Sequence, residues 1–231
     1  MFGSRLEVRR FEKSIEKYES IPVQTGKILF YGHSLFTRCS WIFKTGNNPN
    51  PLLEEEVRMK DGSQAIINHG FGTSSADDLL YYYDRMVRPY KPRALVLATS
   101  GNDVGFGYSA SDIMEILARV IDWAQADFPG IPIFVIGNGP ALARVGQVNV
   151  YTRVRKEYDS LLRLYCQEKE GVTYVNLGDQ PFYYNNPEDI GDFDKVRDDI
   201  FASDDKHFNA KGYGYFMDFV REFLGDLLEE E

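Results

Sequence analysis

Apolar residues in this chain come in two alternating textures. Short, near-continuous apolar runs ended by glycine alternate with longer stretches in which apolar positions recur every three or four residues among charges. The first texture suits strands buried on both faces, the second amphipathic helices. The runs fall at 27–31 (KILFY), 64–70 (QAIINHG), 93–101 (RALVLATSG), 132–139 (PIFVIGNG) and 172–178 (VTYVNLG), and these are the predicted strands. Helical spacing covers 5–19, where Leu6, Phe11, Ile15 and Tyr18 recur before Pro22 breaks the chain, and again 74–87, 109–128 and 149–169. The helices at 74 and 109 open on Ser and early Asp residues, which satisfy the free N–H groups of a first turn. Asn209 reads as the N-cap of a closing helix over 210–228. Between the fifth strand and that helix, 179–204 is polar and Asp/Asn-rich with Phe182, Tyr183 and Tyr184 embedded; it predicts a long loop with a short helix near 194–201.

Five short strands alternating with helices predict an α/β fold with a mostly parallel sheet covered on both faces, a three-layer α/β/α sandwich. Without a repeat, a low-complexity linker or a shift in composition, one domain over 1–231 fits the pattern, with 1–24 as a helical extension. The 5–19 helix can pack on its own domain or on a partner subunit, so a homo-oligomer stays open. Parallel sheets of this kind hold ligands at the carboxyl ends of their strands, near the topological switch point.

Composition narrows the partners. Of 231 residues, 43% are hydrophobic and 26% charged, as in ordinary globular proteins, and the net charge is -9. An acidic surface repels phosphate backbones and anionic lipid heads, so neither nucleic acid nor a membrane surface is expected as partner. Cys39 and Cys166 are far apart and lack metal-ligand spacing, which predicts two reduced, partly buried thiols. The first twenty residues are charged throughout, with no apolar signal core, and no apolar run is long enough to span a bilayer. A cytoplasmic location and no membrane insertion are the expectations.

The strand ends carry the chemistry. After the first run comes Gly32-His33-Ser34. The second leads into Gly70-Phe71-Gly72-Thr73, the third into Ser100-Gly101-Asn102-Asp103, and the fourth into Gly137-Asn138-Gly139. Past the long loop stands Asp204-Asp205-Lys206-His207. A serine hydroxyl is a weak nucleophile until a base takes its proton. His207 can act as that base if Asp204, three residues earlier, bends back to orient the ring and stabilise the imidazolium. Main-chain amides at Ser34, Gly72 and Thr73, with the Asn102 side-chain amide, can point at a developing oxyanion. Alone, each residue has an ordinary reading. Ser34 caps a turn, Asn102 and Asp103 close one, and His207 and Asp204 are solvated. Together, and in this order, they make the set that acyl transfer needs.

These blocks resemble the SGNH hydrolases, also called the GDSL-like lipase/acylhydrolase family, over roughly residues 27–225. The carriers are "YGHSLF", "NHGFGTSSADD", "SGNDV" and "DDKHFNAKGY". The resemblance implies a flavodoxin-like fold and no metal or organic cofactor. It places Ser34 as nucleophile, Asp204 and His207 as acid and base, and Asn102 in the oxyanion hole. Two features depart from the family pattern. His33 stands where the family usually has Asp, and the oxyanion glycine aligns with Gly72 or Thr73 depending on register. The activity this implies is a serine esterase on small or medium acyl esters, its small-molecule substrate leaning towards a carbohydrate or other polar alcohol. Lysophospholipase and thioesterase chemistry lie within the same family. Two other classes are a catalytically silent binding protein on this fold and a flavin or nucleotide binder using "GFGTSS" or "GFGYSA", though neither loop has a lysine or dinucleotide-binding spacing.

Overall fold

Five parallel strands run through the centre of the computed structural model, which describes residues 9–43 and 49–229. In chain order they are β1 (Ile28–Gly32), β2 (Ile66–Gly70), β3 (Ala94–Ala98), β4 (Ile133–Ile136) and β5 (Val172–Val175), and in the sheet they lie β2-β1-β3-β4-β5. Every pairing is parallel, and the order is the flavodoxin-like one. The chain moves outward from β1 to β2, then returns past it to β3, so the switch point lies between β1 and β3. All five residues of both strands are buried.

Helices cover both faces. α1 (Glu12–Glu19), α4 (Ala76–Met86), α6 (Ala110–Asp127) and α7 (Val150–Glu168) close one face over Leu29, Tyr31, Leu95 and Val135. α8 (Ala210–Glu229) closes the other over Ile28, Phe30 and Val96, with two short helices, α2 (Ser34–Thr37) and α3 (Leu53–Glu56). A further short helix, α5 (Gly101–Gly105), follows β3. Capping is as the Ser and Asp residues predict: Asp78 Oδ2 accepts the Ser75 N–H at 2.8 Å, and Asp112 Oδ2 that of Ser109 at 2.9 Å. Asn209 Oδ1 accepts the Gly212 N–H at 3.0 Å and starts α8. α1 packs on α4 of its own chain, with Ile15 and Tyr18 buried; residues 5–8 of its predicted span lie outside the described residues. Cys39 and Cys166 are buried and free. No helix among the described residues is long and apolar enough to cross a membrane.

One predicted element is absent. Residues 194–201 form no helix; 3₁₀ turns lie instead at Pro181–Tyr183 and Pro187–Asp189. Val196 bridges Tyr184 and Phe201 bridges Phe208, both antiparallel, and the Arg197 N–H donates to the Tyr183 carbonyl at 2.9 Å. Those cross-loop pairings use main-chain groups that a helix would have turned inward. The loop is held down by aromatic packing, Tyr183 and Phe201 each lying against Phe208.

Small residues at the strand ends decide where the next segment sits. Gly32 lies opposite Gly70 on one side and Ala98 on the other, a row of minimal side chains across the carboxyl edge of β2-β1-β3. A Cβ on Gly70 would come within 2.4 Å of the Thr37 nitrogen, and one on Gly32 within 2.6 Å of the Ala98 carbonyl oxygen. α2 therefore settles directly on the strand ends, and only glycine permits that approach.

Candidate active site

α2 carries Ser34 as its first residue. The residue before it, His33, is the N-cap: its Nδ1 accepts the Leu35 N–H at 3.2 Å. Burial pushes the His33 pKa down to about 4, with help from the nearby charges of Arg155 and His207. His33 is thus a neutral capping side chain whose Nδ1 is engaged at the start of α2. It supplies the acceptor that a short helix needs at its start, the service an Asp can give at an N-cap.

Ser34 Oγ lies 2.9 Å from His207 Nε2, and His207 Nδ1 lies 2.7 Å from Asp204 Oδ2. Ser34 and His207 are 173 residues apart in the chain and are brought together by the loop before α8. Tyr213, one turn into α8, is buried and donates from its hydroxyl to the Leu35 carbonyl at 3.1 Å, which ties that helix to α2. Asp204 also receives the main-chain N–H groups of Lys206 and His207 on Oδ1, each at 3.0 Å, and the Arg38 guanidinium on Oδ2 at 3.0 Å. Partial burial pushes this carboxyl up, but the bonds from His207 and Lys206 more than offset it and hold the pKa well below the usual carboxylate range. Burial lowers the His207 pKa from its ordinary value, against the opposing pull of Asp204. In this arrangement Nδ1–H donates to a charged Asp204, and Nε2 is left to accept from the Ser34 hydroxyl. Asp205 has φ of 55° and is exposed, and its carbonyl accepts the Ala143 N–H at 2.8 Å.

A cavity of about 420 Å³ opens beside this chain of hydrogen bonds, with Ser34, Thr73, Asn102 and His207 on its wall. Thr73 takes φ of 66°, a left-handed conformation a β-branched residue seldom adopts, while Gly72 is not on the wall. No protein acceptor takes the Ser34, Gly72 or Thr73 N–H among the described residues. Asn102 spends one amide hydrogen on the Ser74 carbonyl at 2.9 Å, which fixes the side chain and leaves its second hydrogen unspent. Beneath it, the fully buried Asp103 accepts from the Ala76 and Ser100 N–H groups and the Thr99 hydroxyl at 2.6 to 3.0 Å. Burial raises its pKa, opposed by those bonds. Ser100, also fully buried, is held at φ of 103° and donates from Oγ to Asn138 Oδ1 at 2.5 Å. Strain of this kind persists only where surrounding bonds over-determine it. Among the described residues, no group of three His, Cys, Asp or Glu side chains is arranged to hold a metal ion.

Of the residues named from the sequence as catalytic, Ser34 and His207 line this cavity and Asp204 stands behind His207, off the wall; of the oxyanion candidates Gly72 alone stands off it. Sequence reasoning missed Arg38, which pairs with Asp204, and the cavity's own cations, Arg144, Arg155 and Lys206. Arg38 follows the last residue of α2, four positions after Ser34, a spacing that puts both at one end of the sheet once α2 is recognised as a helix.

Residues 30–215 match the model of the GDSL-like lipase/acylhydrolase family. No curated protein matches the chain in sequence. Solved structures are similar in fold. A GDSL-like lipase from Bacteroides thetaiotaomicron superimposes with a TM-score of 0.68 at 13% identity, over 96% of this chain and 100% of that one. The psychrotrophic esterase EstA from a Pseudoalteromonas species gives 0.66 at 15% identity, over 88% and 98%. A carbohydrate esterase family 3 protein from Talaromyces cellulolyticus gives 0.61 at 14%, over 88% and 98%.

Proposed function

The chain belongs to the GDSL-like lipase/acylhydrolase family, and from that premise we propose that it is a serine esterase cleaving small or medium acyl esters of a polar alcohol. The observation that carries the proposal is the unbroken relay from Ser34 Oγ through His207 to Asp204, at 2.9 and 2.7 Å, on the wall of a cavity at the sheet's switch point. Ser34 Oγ attacks the ester carbonyl carbon while its proton passes to His207 Nε2. Asp204 holds the ring in the tautomer that makes this transfer productive and stabilises the imidazolium. The oxyanion is met by the N–H groups of Ser34 and Thr73 and by the second amide hydrogen of Asn102; Thr73 is favoured over Gly72 because it reaches the cavity wall. Collapse expels the alcohol, which leaves with the proton from His207. Water, deprotonated in turn by His207, then releases the acid and restores Ser34.

The polar-alcohol assignment draws on a wall that mixes Tyr151, Tyr183 and Phe208 with amides and cations, and on the carbohydrate esterase among the structures of similar fold. The test is p-nitrophenyl acetate hydrolysis by wild type and Ser34→Ala. A rate above background that the variant shares equally would end the assignment of Ser34.

A further inference from the structure

The cavity beside Ser34 is lined by three cations, Arg144, Arg155 and Lys206, and by no Asp or Glu. That is a local inversion in a chain of net charge -9. Elsewhere basic side chains are commonly paired, Arg85 with Glu12 and Glu19 and Arg88 with Asp84 and Asp127. None of the three cavity cations has a carboxylate within ion-pair distance among the described residues. Arg144 and Arg155 also line an adjoining depression of about 460 Å³, whose carboxylates are engaged elsewhere: Asp159 with Arg163 and the Tyr174 hydroxyl, Asp179 with the Asn176 side-chain amide, Asp192 with the Asp194 N–H, and Asp194 with the Gly146 N–H.

Two of the cations are also held in position. Arg155, half-buried, donates from Nε and Nη2 to Asn138 Oδ1 at 3.2 and 3.0 Å and from Nη2 to the Gly139 carbonyl at 3.1 Å. Its Nη1 has no protein acceptor among the described residues. Arg144 lies over the Tyr151 ring, 4.1 Å from its centroid, and Arg155 lies 5.7 Å from the same centroid. The only side-chain hydrogen bond of Arg144 among the described residues is to Gln147 at 3.4 Å. Two planar forks fixed around one aromatic ring, with donors unspent and no counter-ion, form a seat for a planar or tetrahedral oxyanion. Guanidinium donors left without an acceptor in a recess are the kind an arriving oxyanion can take up.

We propose that the esters taken by this cavity carry an anionic group, a carboxylate or phosphate, seated between Arg144 and Arg155, with Lys206 contributing from the rim beside His207. The proposal rests on the esterase reading of Ser34 for its reaction and on the cations alone for its ligand.

Two matched pairs, followed by pH-stat, test it and locate the charge. Monomethyl glutarate against methyl butyrate carries the anion in the acyl part. Glycerol 3-phosphate acetylated on one hydroxyl, against monoacetylglycerol, carries it in the alcohol part. One anionic ester is expected to exceed its neutral partner in kcat/KM by about ten-fold, as one well-placed charge-assisted contact supplies. Arg144→Gln should remove most of that ratio and Arg144→Lys should retain part of it. Ratios at or below one in both pairs, or a ratio that Arg144→Gln leaves intact, overturn the anionic seat while the esterase reading stands. A calorimetric arm separates the reverse case. Glutarate and glycerol 3-phosphate are titrated into Ser34→Ala protein with and without Arg144→Gln. Binding that Arg144→Gln abolishes, in a wild-type protein that cleaves no ester, upholds the seat and overturns the esterase.

Discussion

Two recesses of nearly equal size, about 420 and 430 Å³, flank β1 and β2, and they treat their ionisable groups in opposite ways. Behind His207 on the wall of the first, Asp204 accepts four hydrogen bonds, from two main-chain amides, His207 and Arg38, and stays charged. In the second, Glu54 takes the Ser40 hydroxyl at 3.5 Å, and its Oε2 is buried with no side-chain or main-chain partner among the described residues. Burial pushes the Glu54 pKa up to about 7, and pushes His69 in the same recess down to about 4. The His69 ring is spent on the Met86 carbonyl at 2.8 Å and packed between Tyr18 and Tyr90. A cavity and perturbed titrating groups exist in both places. What differs is connectivity: only the first joins a held carboxylate, a histidine with a free accepting nitrogen, and a hydroxyl at a helix start. Perturbed titration alone does not distinguish a functional recess from a structural one.

Mutations at the two recesses should therefore separate cleanly. Ser34→Ala is expected to lower kcat on p-nitrophenyl acetate by roughly 10⁴–10⁶-fold, as loss of a nucleophile does. Asp204→Asn should follow at roughly 10⁴-fold with the fold intact in circular dichroism, because the amide favours the wrong histidine tautomer. Asp205→Asn, one residue on, exposed and with no hydrogen bond to His207 among the described residues, should cost under about ten-fold, and the reverse ranking would show that the other carboxylate orients His207. Asn102→Ala should cost roughly 10²–10³-fold in kcat with little change in KM, the mark of a donor used in the transition state. An equal loss through KM alone would place Asn102 in substrate binding.

The sheet and the principal helices were legible in the sequence because each local signal agreed with the global pattern. "RALVLATSG" is buried on both faces and reads so. "SSADD" caps α4 as its residue types require. The site was legible as a set of strand-end residues, since a parallel sheet brings all its carboxyl ends to one edge. What escaped was whatever depends on a short helix or on contacts made across the chain. α2, α3 and α5 are four or five residues long, too short for helical periodicity to register. His33 looked like a departure from a motif, and only the 3.2 Å bond to Leu35 reveals it as a cap. Arg144 and Arg155 lie on a 3₁₀ turn and on α7, well apart in the chain. Their neighbourhood is set by Tyr151 and Asn138, and nothing in their own stretch of sequence announces a shared cavity. The helix expected at 194–201 failed because bridges to Tyr184 and Phe208 outweighed local propensity.

The pH profile sharpens the comparison through the histidines. His207 works as a base only when neutral, so kcat/KM should rise with pH through its titration. Burial lowers that pKa, so the limb should fall below the ordinary 6.5, with about ten-fold less activity one unit under the midpoint. The Arg38 charge also lowers the His207 pKa, so Arg38→Gln should move the limb upward. A limb unmoved by Arg38→Gln and lying above 6.5 would mean that another group controls the rate.

Glu54→Gln should leave turnover within about two-fold and act on stability instead, which makes the second recess the control for the first. A carboxyl whose folded pKa is raised from 4.5 to about 7 binds its proton more tightly in the folded state. Its stabilising contribution is complete below pH 4.5 and is lost as pH rises through 7, by an amount on the order of 3 kcal/mol. His69 has the opposite sign: lowered to about 4, it contributes stability above pH 6.5 that is lost as pH falls towards 4. His69 and His33 gain stability between pH 5 and pH 8 in both proteins, so the Glu54 contribution is read as a difference: the stability of wild type relative to Glu54→Gln should fall from pH 5 to pH 8 by most of the Glu54 contribution. A difference that stays constant over that range would assign the titration elsewhere. Glu54→Gln should leave the acid limb of kcat/KM where it is, because Glu54 shares no hydrogen bond with Ser34, His207 or Asp204.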